Sequence, residues 1–398
     1  MAHAVHNGSA IPPPRLLFLG HDLPWPVVTG GRIRDAELLV AASAEWHIDA
    51  VVVAEPEILT RDRRSIPPLR GATVHAFADE SREAPWPWRE SRHARNAIEL
   101  LCARSIDAVH VEGAYMLHFV PPSLLGRTVL VEHNIESDLL EQRRALAPDD
   151  VAECDVRATR EREERAWRGV AQLVTLTEED AAAVRARQPD LQPVVVPNGW
   201  DHVPLSDAPF TCTTRWLRAP RLLFFANHRY GPNRDALRWL VDSVFPLVQR
   251  MVPRSELEIA GANLDDETRA HLDRPGITVT GSFRDVTAVL DAADIVLCPL
   301  RVGGGIKVKM TEALRRGCAV VTTSVGAQGV HGHLRRGLSI GDSAETFAKH
   351  VVRLCDPAER AAVRKHLAAG NQDSPRWRDS YRQLSSLWSE VSACARTS

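Results

Sequence analysis

Apolar and polar positions along this chain fall into two successive blocks of the same kind. Arg15–Gly20 (RLLFLG) is a short apolar run ending in glycine, followed by a loop and a segment of helical period from Arg32 to Ala44. Further short apolar runs at Ala50–Ala54, Ala108–Val111, Val129–Glu132, Leu173–Leu176 and Pro193–Val196 predict buried strands, with helices over Arg89–Arg104 and Asp149–Val170. A second block starts at Leu222–Phe225. It continues with a helix over Arg234–Met251, strands at Leu257–Ala260 and Thr278–Thr280, and a helix over Asp285–Ala292. A strand at Ile295–Pro299, a helix over Lys309–Arg316 and a strand at Ala319–Thr322 complete it. Strand–helix alternation in two blocks predicts two parallel sheets, each covered by helices. Pro197–Ala219 has no sustained period and reads as the boundary, and the segment from Pro375 reads as an amphipathic helix carrying Trp377, Tyr381, Leu384, Leu387 and Trp388. No internal repeat is present.

The length of 398 residues agrees with two domains. A formal net charge of −2 argues against nucleic acid as the main partner. No run of about 18 apolar residues predicts a membrane span. MAHAVHNGSAIPPP lacks the regions of a signal peptide, and residues 1–14 read as a disordered leader. Seven scattered cysteines without CxxC pairs suit a reducing cytoplasm, with neither a disulfide frame nor a zinc site.

Arginine dominates the basic residues. Of 49, four are lysine (307, 309, 349 and 365), a bias that also suits a GC-rich bacterial genome. Two of the four fall within PLRVGGGIKVKMTEALRRGCAVVTT, Pro299–Thr323. There an apolar strand runs into Gly303, Gly304 and Gly305, then into a helix holding Glu312. Consecutive glycines admit a ligand close to the backbone, and a helix N-terminus offers unpaired N–H groups. Lys307 and Lys309 add positive charge, so the stretch reads as an anion site at the C-terminal edge of a parallel sheet. Glu312, about two turns along the helix, is placed to accept the hydroxyls of a ribose. A plain strand-to-helix turn is the alternative reading.

These residues resemble the donor-binding signature of retaining glycosyltransferases of family 4, of the GT-B fold. TGGRIRDAELL (Thr29–Leu39) resembles the family's first glycine loop, VVVPNGWD (Val194–Asp201) the end of its N-terminal domain, and ITVTGSFRDVTAVLDAADIVLCPL (Ile277–Leu300) its base-binding turn and the strand before the donor loop. The resemblance implies an α/β GT-B protein with two Rossmann-like domains whose parallel sheets face a cleft. An acceptor-binding domain would span 15–205, a nucleotide-sugar-binding domain 206–374, and a helix over 375–398 would cross back to the first domain. It implies a cytoplasmic enzyme that moves a sugar, with retention, from a nucleotide-diphosphate sugar to a hydroxyl acceptor (a glycan, a lipid-linked acceptor or a small metabolite). No cofactor or metal is expected. Donor binding is assigned to Gly30, Gly31, Arg229, Phe283, Arg284, Gly303, Gly304, Gly305, Ile306, Lys307, Lys309 and Glu312, acceptor binding to Arg32 and Glu112, and catalysis to His133 and Lys307.

The chain departs from the family in two places. The first of the family's two Glu residues falls at position 304, here glycine, and the usual Arg and Lys after the first strand of the second domain fall at Asn227 and Pro232. A branch of the family with a GGG-[IT]-[KR]-x-K loop is similar in both respects, which implies that Lys307, with Arg229 or Lys309, supplies the missing charge. His133, after an apolar strand, reads either as a donor-sugar contact or as a locally satisfied histidine. Glu112 reads either as acceptor-facing or as structural. No DxD pair stands where a metal-dependent transferase needs one, and Asp291 and Asp294 read as solvated. Trp86 and Trp88 before a basic helix leave peripheral membrane contact as the lesser reading beside an ordinary exposed helix. Two other functions stay open: a GT-B nucleotide-sugar epimerase, and a non-catalytic GT-B partner protein.

Overall fold

The computed structural model describes residues 12–81, 88–206, 220–330 and 332–397. Most of the predicted leader, Trp86, and most of the boundary segment beyond residue 206 lie outside the described residues.

The first sheet comprises β1 (Arg15–Gly20), β2 (His47–Ala54), β3 (Ala72–Ala78), β4 (Ala108–Glu112), β5 (Thr128–Glu132), β6 (Gln172–Thr175) and β7 (Val194–Val195), in the order β3-β2-β1-β4-β5-β6-β7. The second comprises β8 (Arg221–Phe225), β9 (Glu256–Ala260), β10 (Ile277–Gly281), β11 (Ile295–Cys298), β12 (Ala319–Thr322) and β13 (Leu338–Ile340), in the order β10-β9-β8-β11-β12-β13. The pairings are parallel, as β1 with β2 and β4, and β11 with β8 and β12. Central strands such as RLLFLG and IVLC are buried almost throughout, which is why they read as continuous apolar runs rather than alternations.

Two edge strands depart from the pattern. β3 (ATVHAFA) is half-buried along its length, and β13 has three residues, too few for a period. The helix predicted over Arg234–Met251 runs from Gly231 to Met251 but widens to π geometry over Leu240–Val244, where the Phe245 amide donates to the Leu240 carbonyl. Pro246 has no amide proton for the next rung, so the turn before it opens.

The chain divides into two compact units. The first holds the chain up to Val131, Gly169–Gln172 and the chain from Gln383, and the second holds Glu132–Arg168 and Leu173–Arg382. The closing helix, Trp377–Thr397, thus places its later turns in the first unit. There Trp388 meets Trp46 edge-on at 5.6 Å and His110 edge-on at 5.3 Å, and His110 stacks on Phe18 at 4.8 Å. The core of the second unit forms around β8, β9, β11 and β12 with Leu237, Leu240, Phe245, Met310 and Phe347.

Candidate functional site

The glycine loop of the second unit leaves β11 and enters the helix Val308–Arg315. Gly305 has φ +58°, and a Cβ there would collide with the carbonyl oxygen of His133, so the position requires glycine. At Gly304 a Cβ would lie 3.1 Å from Asn134 Cβ. A side chain at position 304 would therefore meet Asn134. The Gly303 amide donates to Gln142 Oε1 at 3.0 Å.

Lys307 is buried, and its ammonium is turned into the loop itself. Nζ donates to the carbonyls of Gly304 (3.0 Å) and Gly305 (2.8 Å) and to Gln328 Oε1 (3.2 Å). Gln328 in turn donates to Asp180 at 3.0 Å, and Asp180 is held by the Thr177 hydroxyl at 2.6 Å. Burial pushes Lys307 down to about 8, with the Asp180 carboxylate opposing the shift. In a planar trans peptide, C=O and the following N–H point opposite ways. Holding both carbonyls on one side thus sends the Gly305 and Ile306 amides to the other. Lys309 donates to Asn233 at 2.8 Å and sits 5.3 Å over the Phe224 ring.

Beside the loop lies a buried acidic group. Glu163 accepts from the Glu136 and Ser137 amides and from the Ser137 hydroxyl, so it caps the helix Glu136–Leu146 from a distant part of the chain. Burial and the facing Glu163 push Glu136 up to about 8. Asn134 is satisfied when its nitrogen faces the carbonyls of His133 (3.1 Å) and Gly304 (2.9 Å). Its oxygen then faces Glu136, a pairing that calls for the protonated acid. His133 itself is partly buried.

Glu312 is buried on the helix Val308–Arg315, and His202 Nε2 lies 3.4 Å from its Oε1. The indole N–H of Trp377 donates to His202 Nδ1 at 3.2 Å. An indole nitrogen can only donate, so Nδ1 is the acceptor and the proton sits on Nε2, aimed at Glu312.

In the first unit, Gly30 and Gly31 open the helix Gly30–Ala42, with Thr29 as its N-cap. Arg32 on its first turn is enclosed: Nε donates to Asp22 at 2.8 Å and a terminal nitrogen to Asp62 at 2.9 Å. The Arg61 and Arg32 guanidiniums hold Asp62 below the usual carboxylate range. Glu112 ends β4 at 0% exposure, 3.2 Å from the equally buried Arg34 and 2.8 Å from His110 Nε2. Trp388 donates to His110 Nδ1 at 3.2 Å. Burial and the neighbouring Glu112 raise Asp35 well above the usual range. Among the described residues, the order indole, imidazole, carboxylate is thus found in both units.

Three further predicted residues, Arg229, Phe283 and Arg284, are exposed. Arg229 is exposed in the loop after β8, its amide donating to Asn227 Oδ1. Phe283 is exposed and meets Phe225 edge-on at 6.1 Å, and Arg284 is exposed beside it. Asp294 is a correction. It is 1% exposed, accepts from the Arg221 amide at 2.9 Å and lies 3.7 Å from Arg360, so it ties β8 to β11 rather than facing solvent. Asp291 does face solvent, paired with Arg316. Sequence reasoning missed Gln142, Asp180, Gln328 and His202. Their partners lie far along the chain, and the one local signal is that His202 directly follows PNGWD.

Residues 219–356 match the family described as Glycosyl transferases group 1. A sucrose-phosphate synthase from Thermosynechococcus elongatus is similar over 96% of this chain and 100% of its own, at TM-score 0.71 and 16% identity. HepE of Anabaena, solved with UDP and glucose, is similar over 95% and 100%, at TM-score 0.65 and 15% identity. WaaG, a glycosyltransferase involved in lipopolysaccharide biosynthesis, is similar over 96% and 98%, at TM-score 0.64 and 14% identity. The fold is GT-B. An uncharacterized 44.6 kDa protein in the cps region of Klebsiella pneumoniae is 27% identical over 159 residues, 38% of this chain. The chain covers 41% of that relative's length. No helix among the described residues is long and apolar enough to cross a membrane.

Proposed function

We propose that this protein transfers a sugar from a nucleoside-diphosphate sugar to a hydroxyl acceptor, with retention, without a metal ion, and in the cytoplasm. The observation that carries this reading is the loop Gly303–Gly305. Its carbonyls are fixed by Lys307, its helix carries Glu312, and both lie inside the stretch that matches glycosyl transferases group 1. Amides turned away from Lys307 suit phosphate oxygens, and a carboxylate about one turn into the helix suits the ribose hydroxyls. Residues 206–374 form the donor side in this reading and residues 15–205 the acceptor side. Arg229, Phe283 and Arg284 line the nucleotide end, Gly30 and Gly31 face the reacting phosphate, His133 contacts the donor sugar, and Glu112 with Arg32 shapes the acceptor side. As the glycosidic bond breaks, its electron pair goes to the leaving diphosphate. The loop amides stabilise that charge, and the diphosphate takes the acceptor's proton. HepE was solved with UDP and glucose, which makes UDP-glucose the first donor to try.

The test incubates the purified chain with a panel of nucleoside-diphosphate sugars and hydroxyl acceptors, with and without EDTA. The expected result is an acceptor-dependent product of unchanged anomeric configuration, formed at the same rate in EDTA. An inverted product overturns retention. Activity lost to EDTA and restored by a divalent ion overturns the metal-free scheme.

A further inference from the structure

Hydrogen bonds tie the segment Pro197–Asp201 (PNGWD) to the start of the closing helix. The Trp200 amide donates to the Pro375 carbonyl at 2.9 Å, the Trp377 amide to Asp201 Oδ1 at 2.8 Å, and the Ser380 hydroxyl to the Pro197 carbonyl at 2.6 Å. Gly199 lies so close to the Trp377 backbone that a Cβ would collide with it. Asp201 takes one of the unpaired amides at that helix's N-terminus. This rigid docking fixes where the next residue, His202, stands. His202 then receives the Trp377 indole N–H on Nδ1 and presents Nε2–H to Glu312, which is itself buried.

We infer that His202 and Trp377 are positioning residues for the ribose contact of the donor: Trp377 sets the tautomer of His202, and His202 holds Glu312 as an oriented carboxylate. The inference rests on the donor-site reading given above. A carboxylate has two oxygens and about four acceptor sites. His202 occupies one on Oε1, which fixes the rotation of the group and leaves the others for two ribose hydroxyls. Without that N–H the carboxylate of Glu312 would lose its orienting donor and adopt other rotamers. The same order of groups in the first unit, Trp388 to His110 to Glu112, indicates that this chain uses the device more than once.

The readout is the ratio of affinities for UDP and 2′,3′-dideoxy-UDP, with the GDP and ADP pairs run alongside, measured by calorimetry on the full chain. A pair of hydroxyls held by a carboxylate gives the wild type a preference of about tenfold or more for the ribose form. His202→Ala should bring the ratio close to one while leaving dideoxy binding near the wild-type value. Trp377→Phe keeps the ring packing and removes only the indole N–H, and should lower the ratio in a chain of unchanged circular dichroism. His202→Gln, whose amide can donate from a similar place, should restore part of it. A wild-type ratio retained in both His202→Ala and Trp377→Phe overturns the inference while the donor site stands. Equal binding of ribose and dideoxyribose forms by the wild type overturns it together with the ribose role of Glu312. Failure of the wild type to bind any of the six nucleotides overturns the donor-site reading and the inference with it.

Discussion

The ammonium of Lys307 lies 2.8 Å from the carbonyl oxygen of Gly305, two residues before it in the chain. With Gly304 and Gln328 as its other acceptors, the three N–H groups of the lysine are all engaged inside the protein. The positive charge therefore acts from behind the loop. It orients the carbonyls, and through them the amides, and its field still reaches an anion on the far side.

Lys307→Met keeps the apolar stem and deletes the ammonium. The buried Gly305 carbonyl and the partly buried Gly304 carbonyl lose a donor, at up to about 1–3 kcal/mol each, and Asp180 loses a compensating cation. Turnover should fall by roughly a hundredfold, the scale on which single electrostatic stabilisers act. Lys309→Ala should cost less, because Lys309 faces Asn233 and the Phe224 ring rather than the loop. Steady-state kinetics on both variants decide this, and wild-type turnover in Lys307→Met contradicts it.

Gly305→Ala should be severe for a steric reason. The residue has φ +58°, and the added methyl meets the His133 carbonyl. A left-handed conformation alone costs about 1 kcal/mol for a residue with a Cβ, and the collision adds to it. The expected outcome is a lower melting temperature and loss of nucleoside diphosphate binding. Gly317→Ala, also at positive φ but with open space around its Cβ, serves as the comparison and should bind as the wild type does.

The pattern of residues along the chain carries much of this architecture and little of the site's wiring. Central strands such as Ile295–Cys298 and Ala319–Thr322 are buried on both faces, and their apolar runs announce them. Edge strands Ala72–Ala78 and Leu338–Ile340 are short or half-exposed and carry no such run. Gly303–Gly305 and Glu312 stand out because their spacing is local. The partners that orient them do not. Trp377 and His202 are 175 residues apart and His202 and Glu312 110 apart, so no periodicity joins them. Asp294 reads as solvated for the same reason, since Arg221 and Arg360, which bury it, lie in distant elements.

Glu136 gives the protein a pH dependence with a definite sign. Burial and Glu163 raise it from the usual 4.5 to about 8. A raised acid contributes stability that is fully present below about 4.5 and is lost as pH rises through 8. Glu136→Gln, a neutral isostere, should match the wild type near pH 4.5. By pH 9 it should be the more stable of the two, by an amount on the order of a few kcal/mol. Denaturant unfolding of both chains between pH 4.5 and 9 checks this, and parallel curves across that range contradict it.

The central claim is that the loop and Glu312 hold a nucleoside diphosphate. Its most direct test is a thermal-unfolding titration of the purified chain with UDP, GDP and ADP in the presence of EDTA, repeated on Glu312→Gln. A ligand at a hundred times its Kd stabilises the native state by about 2.7 kcal/mol, so one diphosphate should raise the melting temperature in a saturable way. Glu312→Gln should weaken that ligand by about 1.5–3 kcal/mol, the worth of a charge-assisted hydrogen bond. Melting temperatures that no diphosphate moves, or a Kd unchanged in Glu312→Gln, contradict the account.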